Sequence, residues 1–271
     1  MAVAALWRWG RAAGEDAPAV RPGAACPEGV PVRRVLLTGF EPFGGETVNP
    51  SADAVRSAAR TGVTDAVGAA LSIRAAVLPV ELARALPVLF ELLDEVRPEL
   101  VLCFGQAGGR CGVTPERVAV NVEEAAEPDN AGAVLSGGPV VVGGPPAYLS
   151  TLPVAACVDA LHRAAIPASV STTAGTYLCN HVFYGLMHAV AQSSSAASTP
   201  DARAAGASAD GAGGVRRAGF VHVPYAHHQV LGRPDTPSLA QHTIDEAVRV
   251  VLAACVADLD GADLDGAASD F

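Results

Sequence analysis

At 271 residues, half of them apolar and only 17% charged, the chain has enough apolar surface for one large core, which excludes an intrinsically disordered protein. Its 18 basic residues are all Arg and lie scattered among 28 acids, a net charge of −10 that excludes a phosphate backbone as the main partner. A membrane-spanning helix is excluded too, because the longest apolar stretch, Val140 to Val158, is cut by Gly143, Gly144, Pro145 and Pro146 before reaching the roughly 20 residues a bilayer requires.

In chain order, residues 1–31 are rich in Ala, Gly, Pro and Arg without a sustained period, so they read as a poorly ordered N-terminal extension. The single domain is expected to span 32–260. Val32 to Thr38 is a β-branched and Leu run closed by Gly39, the pattern of a buried strand, and Ser51 to Arg60 reads as a helix with Ser51 as its N-cap. A second strand fits Leu71 to Leu78. Val80 to Val96 carries helical spacing through Leu82, Leu86, Leu89, Leu92 and Leu93 and should end before Pro98. Leu100 to Phe104 is a third strand that stops at Gly105. Continuous apolar strands separated by helices predict an α/β fold with a mostly parallel sheet covered on both faces.

Arg117 to Val122 reads as a further strand, followed by a Gly/Pro-rich loop over 127–147, a helix near Val154 to Ala164, a strand near Ala168 to Ser171 and a helix from Cys179 to Ala191. Residues 193–217 are a Ser-, Ala- and Gly-rich insertion, expected to be flexible because so little apolar surface cannot offset the entropy of ordering. Gly219 to Val223 then returns as a strand, Ser238 to Leu259 as a terminal helix, and 261–271 as an acidic tail. The six Cys, at 26, 103, 111, 157, 179 and 255, form neither a disulfide framework nor a CxxC pair. Reduced thiols, together with a start that lacks a basic leader region, place the expected location in the cytoplasm.

Polar residues gather where the proposed strands end, the edge at which open α/β sheets hold ligands. Cys179 is the thiol of interest: at the first turn of a helix, partial positive charge from unpaired N–H groups would favour thiolate. The ordinary alternative, a small buried hydrophobe, suits Cys103, Cys157 and Cys255 better. A thiol nucleophile needs an imidazole to take its proton and an acid to orient that imidazole. His222, at the end of a strand before Pro224, supplies the first; Glu116 is a candidate for the second, although a lone acid there reads equally as a surface or cap residue. Two rivals use the same residues. The Gly105 to Gly109 loop could wrap phosphate but lacks the Lys-Ser/Thr of a P-loop, and Cys179-x-His181 with His222, His227 and His228 supplies metal-ligand types without zinc spacing.

The strings LLTGFEPFGGETVNPS at 36–51, GQAGGR at 105–110, TPERVAVNV at 114–122, PDN at 128–130, GTYLCNHVFYGLMH at 175–188 and GFVHVPY at 219–225 resemble, in order and spacing, the type I pyroglutamyl peptidases, also called pyrrolidone carboxyl peptidases. The resemblance runs from about Val35 to Leu252. It implies a three-layer α/β/α sandwich around a mixed sheet, no metal or other cofactor, and a cysteine peptidase that removes N-terminal pyroglutamate from peptides through a thioester. It implies Cys179 as nucleophile, His222 as base and Glu116 as the orienting acid. Phe40, Phe43, Asn49, Gln106, Tyr177 and Leu178 match positions that line the pyroglutamate pocket, and a homo-oligomer, commonly a tetramer, is implied. One departure stands out: where the family carries Arg-x-Pro-Asp-Asn, this chain has Ala126-Glu127-Pro128-Asp129-Asn130. A homologue that binds the lactam without cleaving it is the alternative this departure keeps open.

Overall fold

Continuous apolar runs become strands buried on both faces, and the computed structural model, which describes residues 32–61, 71–197 and 214–268, sets three of them side by side with a fourth, half-exposed strand at the edge. All described residues belong to the compact unit beginning at Val32. The expected extension at 1–31, the centre of the insertion (198–213) and the end of the expected acidic tail (269–271) lie outside the described residues.

Strand β1 (Arg34–Phe40) leads to helix α1 (Pro50–Thr61), β2 (Ser72–Leu78), α2 (Leu82–Val96) and β3 (Leu100–Gln106). Short strands follow: β4 (Thr114–Pro115), β5 (Val118–Val120), β6 (Glu123–Ala125), β7 (Leu135–Gly138) and β8 (Ala147–Leu149). Then come α3 (Val154–Arg163), α4 (Leu178–Ala197), β9 (Arg217–Val223), β10 (Tyr225–Ala226), β11 (Ser238–Leu239) and α5 (Gln241–Ala268). The main sheet runs β2-β1-β3-β9-β4, parallel except for β4, which pairs antiparallel with β9.

Strand alternation divides the core into two layers. Val35, Leu37, Leu100, Leu102 and Phe104 face α1, α3 and α5, whereas Leu36, Val101, Cys103, Ala218 and Phe220 face α2 and α4. The result is a three-layer α/β/α sandwich. Each large core side chain removed from water, such as Phe183 or Phe220, contributes about 1.5–3 kcal/mol before entropy is counted.

Several elements differ from expectation. The strand expected at 117–122 shortens to β5, with β6 following just beyond it, and each pairs with a strand from the Gly/Pro-rich segment: β5 with β8, and β6 with β7 across a bulge at Glu123/Glu124. These ribbons hold the outer face of α4, where the Asn180 amide accepts from Val120 N and donates to Val120 O and Val122 O. The strand expected at 168–171 is reduced to isolated bridges, Val113 with Ala168 and Glu116 with Ser171. The terminal helix starts at Gln241 rather than Ser238, because Ser238 and Leu239 pair with β10, and it continues to Ala268. No described helix is long and apolar enough to cross a membrane.

Candidate active site

The C-terminal ends of β1, β3 and β9 open onto one edge of the sheet. The first turn of α1 lies directly against β1, and Gly39 permits it: a Cβ there would lie 2.7 Å from the Ser51 backbone. The N-cap of α1 is Asn49, not Ser51. Asn49 Oδ1 accepts from Ser51 N (3.1 Å) and Oγ (2.8 Å), and Pro50 takes the first helical position, where its missing N–H costs nothing. Ser51 Oγ in turn accepts from Phe40 N, and Asn49 Nδ2 donates to Glu41 O. The loop carrying Phe40 and Phe43 is thus tied to the helix start.

A narrow cleft is lined by Phe40, Phe43, Asn49, Val80, Gln106, Tyr177, Leu178 and Cys179. All six sequence-predicted pocket residues meet there, with the candidate nucleophile in the wall. Val80 is an addition that the apolar run before α2 does not single out. Phe40 packs against Phe220 with ring centroids 6.1 Å apart, and Phe43 against Tyr177 at 6.4 Å, so both rings are core-supported as well as cavity-facing.

Glu116 is fully buried just past β4, and its Oε1 accepts from His222 Nδ1 at 2.7 Å. Pairing of β4 with β9 brings the two residues together from positions 106 apart in sequence. His222 is the in-register neighbour of Gly105 on β3. A Cβ on Gly105 would stand 3.0 Å from the Cys179 sulfur and 2.8 Å from Phe220 Cζ, so the sulfur lies over the strand position beside the imidazole.

Arg110 completes the cluster and was not singled out by sequence. Its Nη1 donates to the same Glu116 oxygen at 2.7 Å and to Thr114 Oγ1, and Nη2 donates to Thr173 O at 3.0 Å. The only sequence signal was its place at the end of GQAGGR, six residues before an acid that proves to be buried. Such an acid requires a partner to stay ionised.

The electrostatics reverse one expectation. Cys179 keeps some exposure where it lines the cavity, yet burial, and then the Glu116 charge, push its thiol up to about 12, with Arg110 opposing. Burial and the Glu116 charge thus hold the resting sulfur toward the thiol form. Burial also holds His222 below the usual imidazole range against the opposing bond to Glu116. At neutral pH the pair is therefore SH and neutral imidazole, with Nδ1–H on Glu116 and Nε2 left as a base. Cys103, wholly buried, is also pushed up to about 12.

His181 does not join this cluster: its Nδ1 bonds Glu123 Oε1 at 2.8 Å. His227 bonds Ser238 Oγ. Among the described residues no three His, Cys, Asp or Glu side chains are arranged to hold a metal ion.

The family described as pyroglutamyl peptidase matches residues 33–199. The pyrrolidone-carboxylate peptidase of Cupriavidus necator is 46% identical over 222 residues, 82% of this chain and 92% of that protein. Pyrrolidone-carboxylate peptidase 1 of Photorhabdus laumondii is 42% identical over 221 residues, again 82% and 92%. Among solved structures, pyroglutamyl peptidase I of Bacillus amyloliquefaciens superposes with a TM-score of 0.69 at 39% identity, covering 83% of this chain and 97% of that one. A variant of the Pyrococcus furiosus pyrrolidone carboxyl peptidase gives 0.69 at 34% identity, covering 83% and 99%.

Proposed function

The chain belongs to the pyroglutamyl peptidase family, and from that premise we propose that it removes N-terminal pyroglutamate from peptides using Cys179, His222 and Glu116. The observation that carries the reading is the 2.7 Å bond from His222 to Glu116, on a strand whose in-register neighbour, Gly105, lies under the Cys179 sulfur. His222 Nε2 takes the S–H proton as the sulfur attacks the carbonyl joining pyroglutamate to the next residue. Glu116 stabilises the imidazolium that forms. Backbone N–H groups at the start of α4 hold the oxyanion. As the C–N bond breaks, His222 passes its proton to the departing amine and a thioester remains on Cys179. Water, deprotonated by His222, then releases pyroglutamate and restores the thiol.

The cavity suits that substrate. Pyroglutamate has a neutral lactam where an ordinary N-terminus has an ammonium, and a wall formed by Phe40, Phe43, Asn49, Val80, Gln106, Tyr177, Leu178 and Cys179 holds no carboxylate to pair with a cation that has lost its hydration. Pyroglutamyl aminomethylcoumarin is therefore expected to be cleaved, and the prolyl and glutamyl analogues at least about 10³-fold less efficiently. Comparable rates on all three would overturn the reading. A second reading, binding without turnover, is favoured by one feature. The segment holding Ala126 and Glu127 is tied along the approach to Cys179 by Thr176 Oγ1 to Glu124 O (2.6 Å) and Tyr177 OH to Pro128 O (3.2 Å), with no cation at 126. Lactam binding with no cleavage of any of the three would identify it. We place the enzyme in the cytoplasm as a homo-oligomer.

Gly105 gives a sharper test of the geometry. Gly105→Ala puts a methyl group 3.0 Å from the sulfur and 2.8 Å from Phe220 Cζ, so the sulfur must shift by a few tenths of an ångström; a displacement of about 1 Å costs a nucleophile on the order of 10² in rate, and this smaller one about tenfold. The expected result is a loss of that size in kcat, with cooperative thermal unfolding retained. A wild-type rate would show that the sulfur does not react from this position.

A further inference from the structure

We propose that Gln229 is a positioning residue that fixes the amide of Gln106 so that Gln106 turns its Nε2–H donor toward the ring carbonyl of the lactam. The inference rests on the proposed function and names the residue that sets the pocket's polarity. Gln229 ends the short helical turn after β10, and its amide has one permitted orientation. Its Oε1 accepts from Ala226 N at 2.9 Å. Its Nε2 meets three oxygens, Gln106 Oε1 at 2.9 Å, Glu46 Oε2 at 3.3 Å and Val48 O at 3.3 Å. A backbone N–H cannot accept, and neither a carboxylate nor a backbone carbonyl can donate, so the two ends of Gln229 cannot be exchanged. The Gln106 atom that faces it must then be oxygen. An isolated glutamine amide is ambiguous in this respect; here its neighbours decide it.

The consequence lies in what remains. Gln106 is only 6% exposed and lines the cavity, and its Nε2 donates to no described residue. Other polar side-chain groups in the wall are already engaged. Asn49 spends one Nδ2 hydrogen on Glu41 O and its Oδ1 on Ser51, and the Tyr177 hydroxyl donates to Pro128 O. Gln106 Nε2 is thus the side-chain amide nitrogen of the wall with neither hydrogen spent on a described residue, and the lactam carbonyl, beside the ring N–H, is the acceptor it can meet. Arg233 holds the same turn mechanically, through Glu46 Oε1 at 2.6 Å and by lying 4.8 Å over the Tyr225 ring, but it does not touch the Gln106 amide.

The test compares Gln229→Glu with Arg233→Gln, using pyroglutamyl aminomethylcoumarin as substrate and 2-pyrrolidone, the bare lactam ring, as competitor. A carboxylate at 229 can only accept, so it turns Gln106 round and presents an oxygen to the lactam carbonyl. Gln229→Glu is expected to raise KM and the 2-pyrrolidone inhibition constant together, by tenfold or more, with kcat changed less than threefold. Arg233→Gln should leave both constants within threefold. The proposal is overturned if Gln229→Glu leaves KM and the inhibition constant within threefold, if it lowers kcat alone, or if Arg233→Gln raises both constants as much, since the turn would then act only by clasping the loop. Should Gln229→Glu fail to unfold cooperatively, Gln229→Met removes the donor without adding charge and is read by the same criteria. If the parent protein cleaves no pyroglutamyl substrate, the proposed function fails by itself. Titration of the Cys179→Ala protein, with and without Gln229→Glu, by 2-pyrrolidone under NMR still decides the role of Gln229.

Discussion

Cys179→Ala is expected to lose at least about 10⁴-fold in kcat/KM on a pyroglutamyl amide, the scale of loss when a triad's nucleophile is removed, while still binding the lactam. The substitution removes one atom from a cavity wall and leaves the Glu116–His222 and Arg110–Glu116 bonds intact, so the fold should hold. Alkylation supplies a second readout. Among the described thiols, Cys103, Cys157 and Cys255 are buried, whereas Cys111 is exposed and would react with iodoacetamide as well, and Cys26 lies outside the described residues. In a Cys26→Ser, Cys111→Ser background, alkylation and inactivation should therefore report on Cys179. Because burial pushes that thiol up to about 12, its thiolate fraction keeps rising through the accessible range. Inactivation should accelerate steadily from about pH 6 to pH 9. A rate already level below about pH 6 would mean a resting thiolate–imidazolium pair and would contradict the electrostatics described above.

That result would also fix where sequence reasoning reached its limit at this cysteine. Helix position is local, and the first turn of α4 was legible from Cys179-Asn180-His181 and the apolar spacing that follows. Burial is not local. It arises because Gly105 on β3, Phe220 on β9 and the ribbons clamping Asn180 close around the sulfur from distant parts of the chain. The same division runs through the fold. Strands β1, β3 and β9 were legible because two-sided burial writes itself as uninterrupted Val, Leu and Phe. The β5–β8 and β6–β7 ribbons were not, since strands of three or four residues such as Leu135–Gly138 take their shape from pairing rather than propensity. At the start of α1, Asn49 and Ser51 are both good caps by type, and only the bond from Phe40 N to Ser51 Oγ shows why Asn49 holds the cap.

The site shows a similar boundary. Family resemblance assigned Cys179, His222 and Glu116 together, and the chain's own chemistry could nominate the first two, but Glu116 alone looked like any surface acid. Its complete burial becomes tolerable through Arg110, a residue that sequence offers only as a lone cation after a glycine loop. Gln229 was invisible for a related reason: its effect passes through the amide of another residue, and amide orientation leaves no trace in composition or spacing.

Glu116→Gln should therefore be nearly as damaging as loss of the sulfur, but with a different pH signature. Gln is similar in size and can still accept from His222 Nδ1 or from Arg110, so the strands stay paired; what disappears is the charge that stabilises an imidazolium. A plateau loss in kcat of about 10³- to 10⁴-fold is expected. The Glu116 bond and charge raise the His222 pKa against the lowering by burial and Arg110. Removing them lowers it further, so the acid limb of the residual activity should move to lower pH. The same carboxylate raises the Cys179 thiol while Arg110 lowers it, so the variant's thiol should also ionise at lower pH, and in the Cys26→Ser, Cys111→Ser background its alkylation at neutral pH should be faster than the parent's. A cysteine that becomes easier to alkylate as the enzyme becomes slower separates loss of imidazolium stabilisation from simple disorder, which would impair binding and exposure without this opposed pair of shifts. Retention of more than about a tenth of the parent's kcat, or an acid limb moved to higher pH, would remove Glu116 from its role as the acid that orients His222.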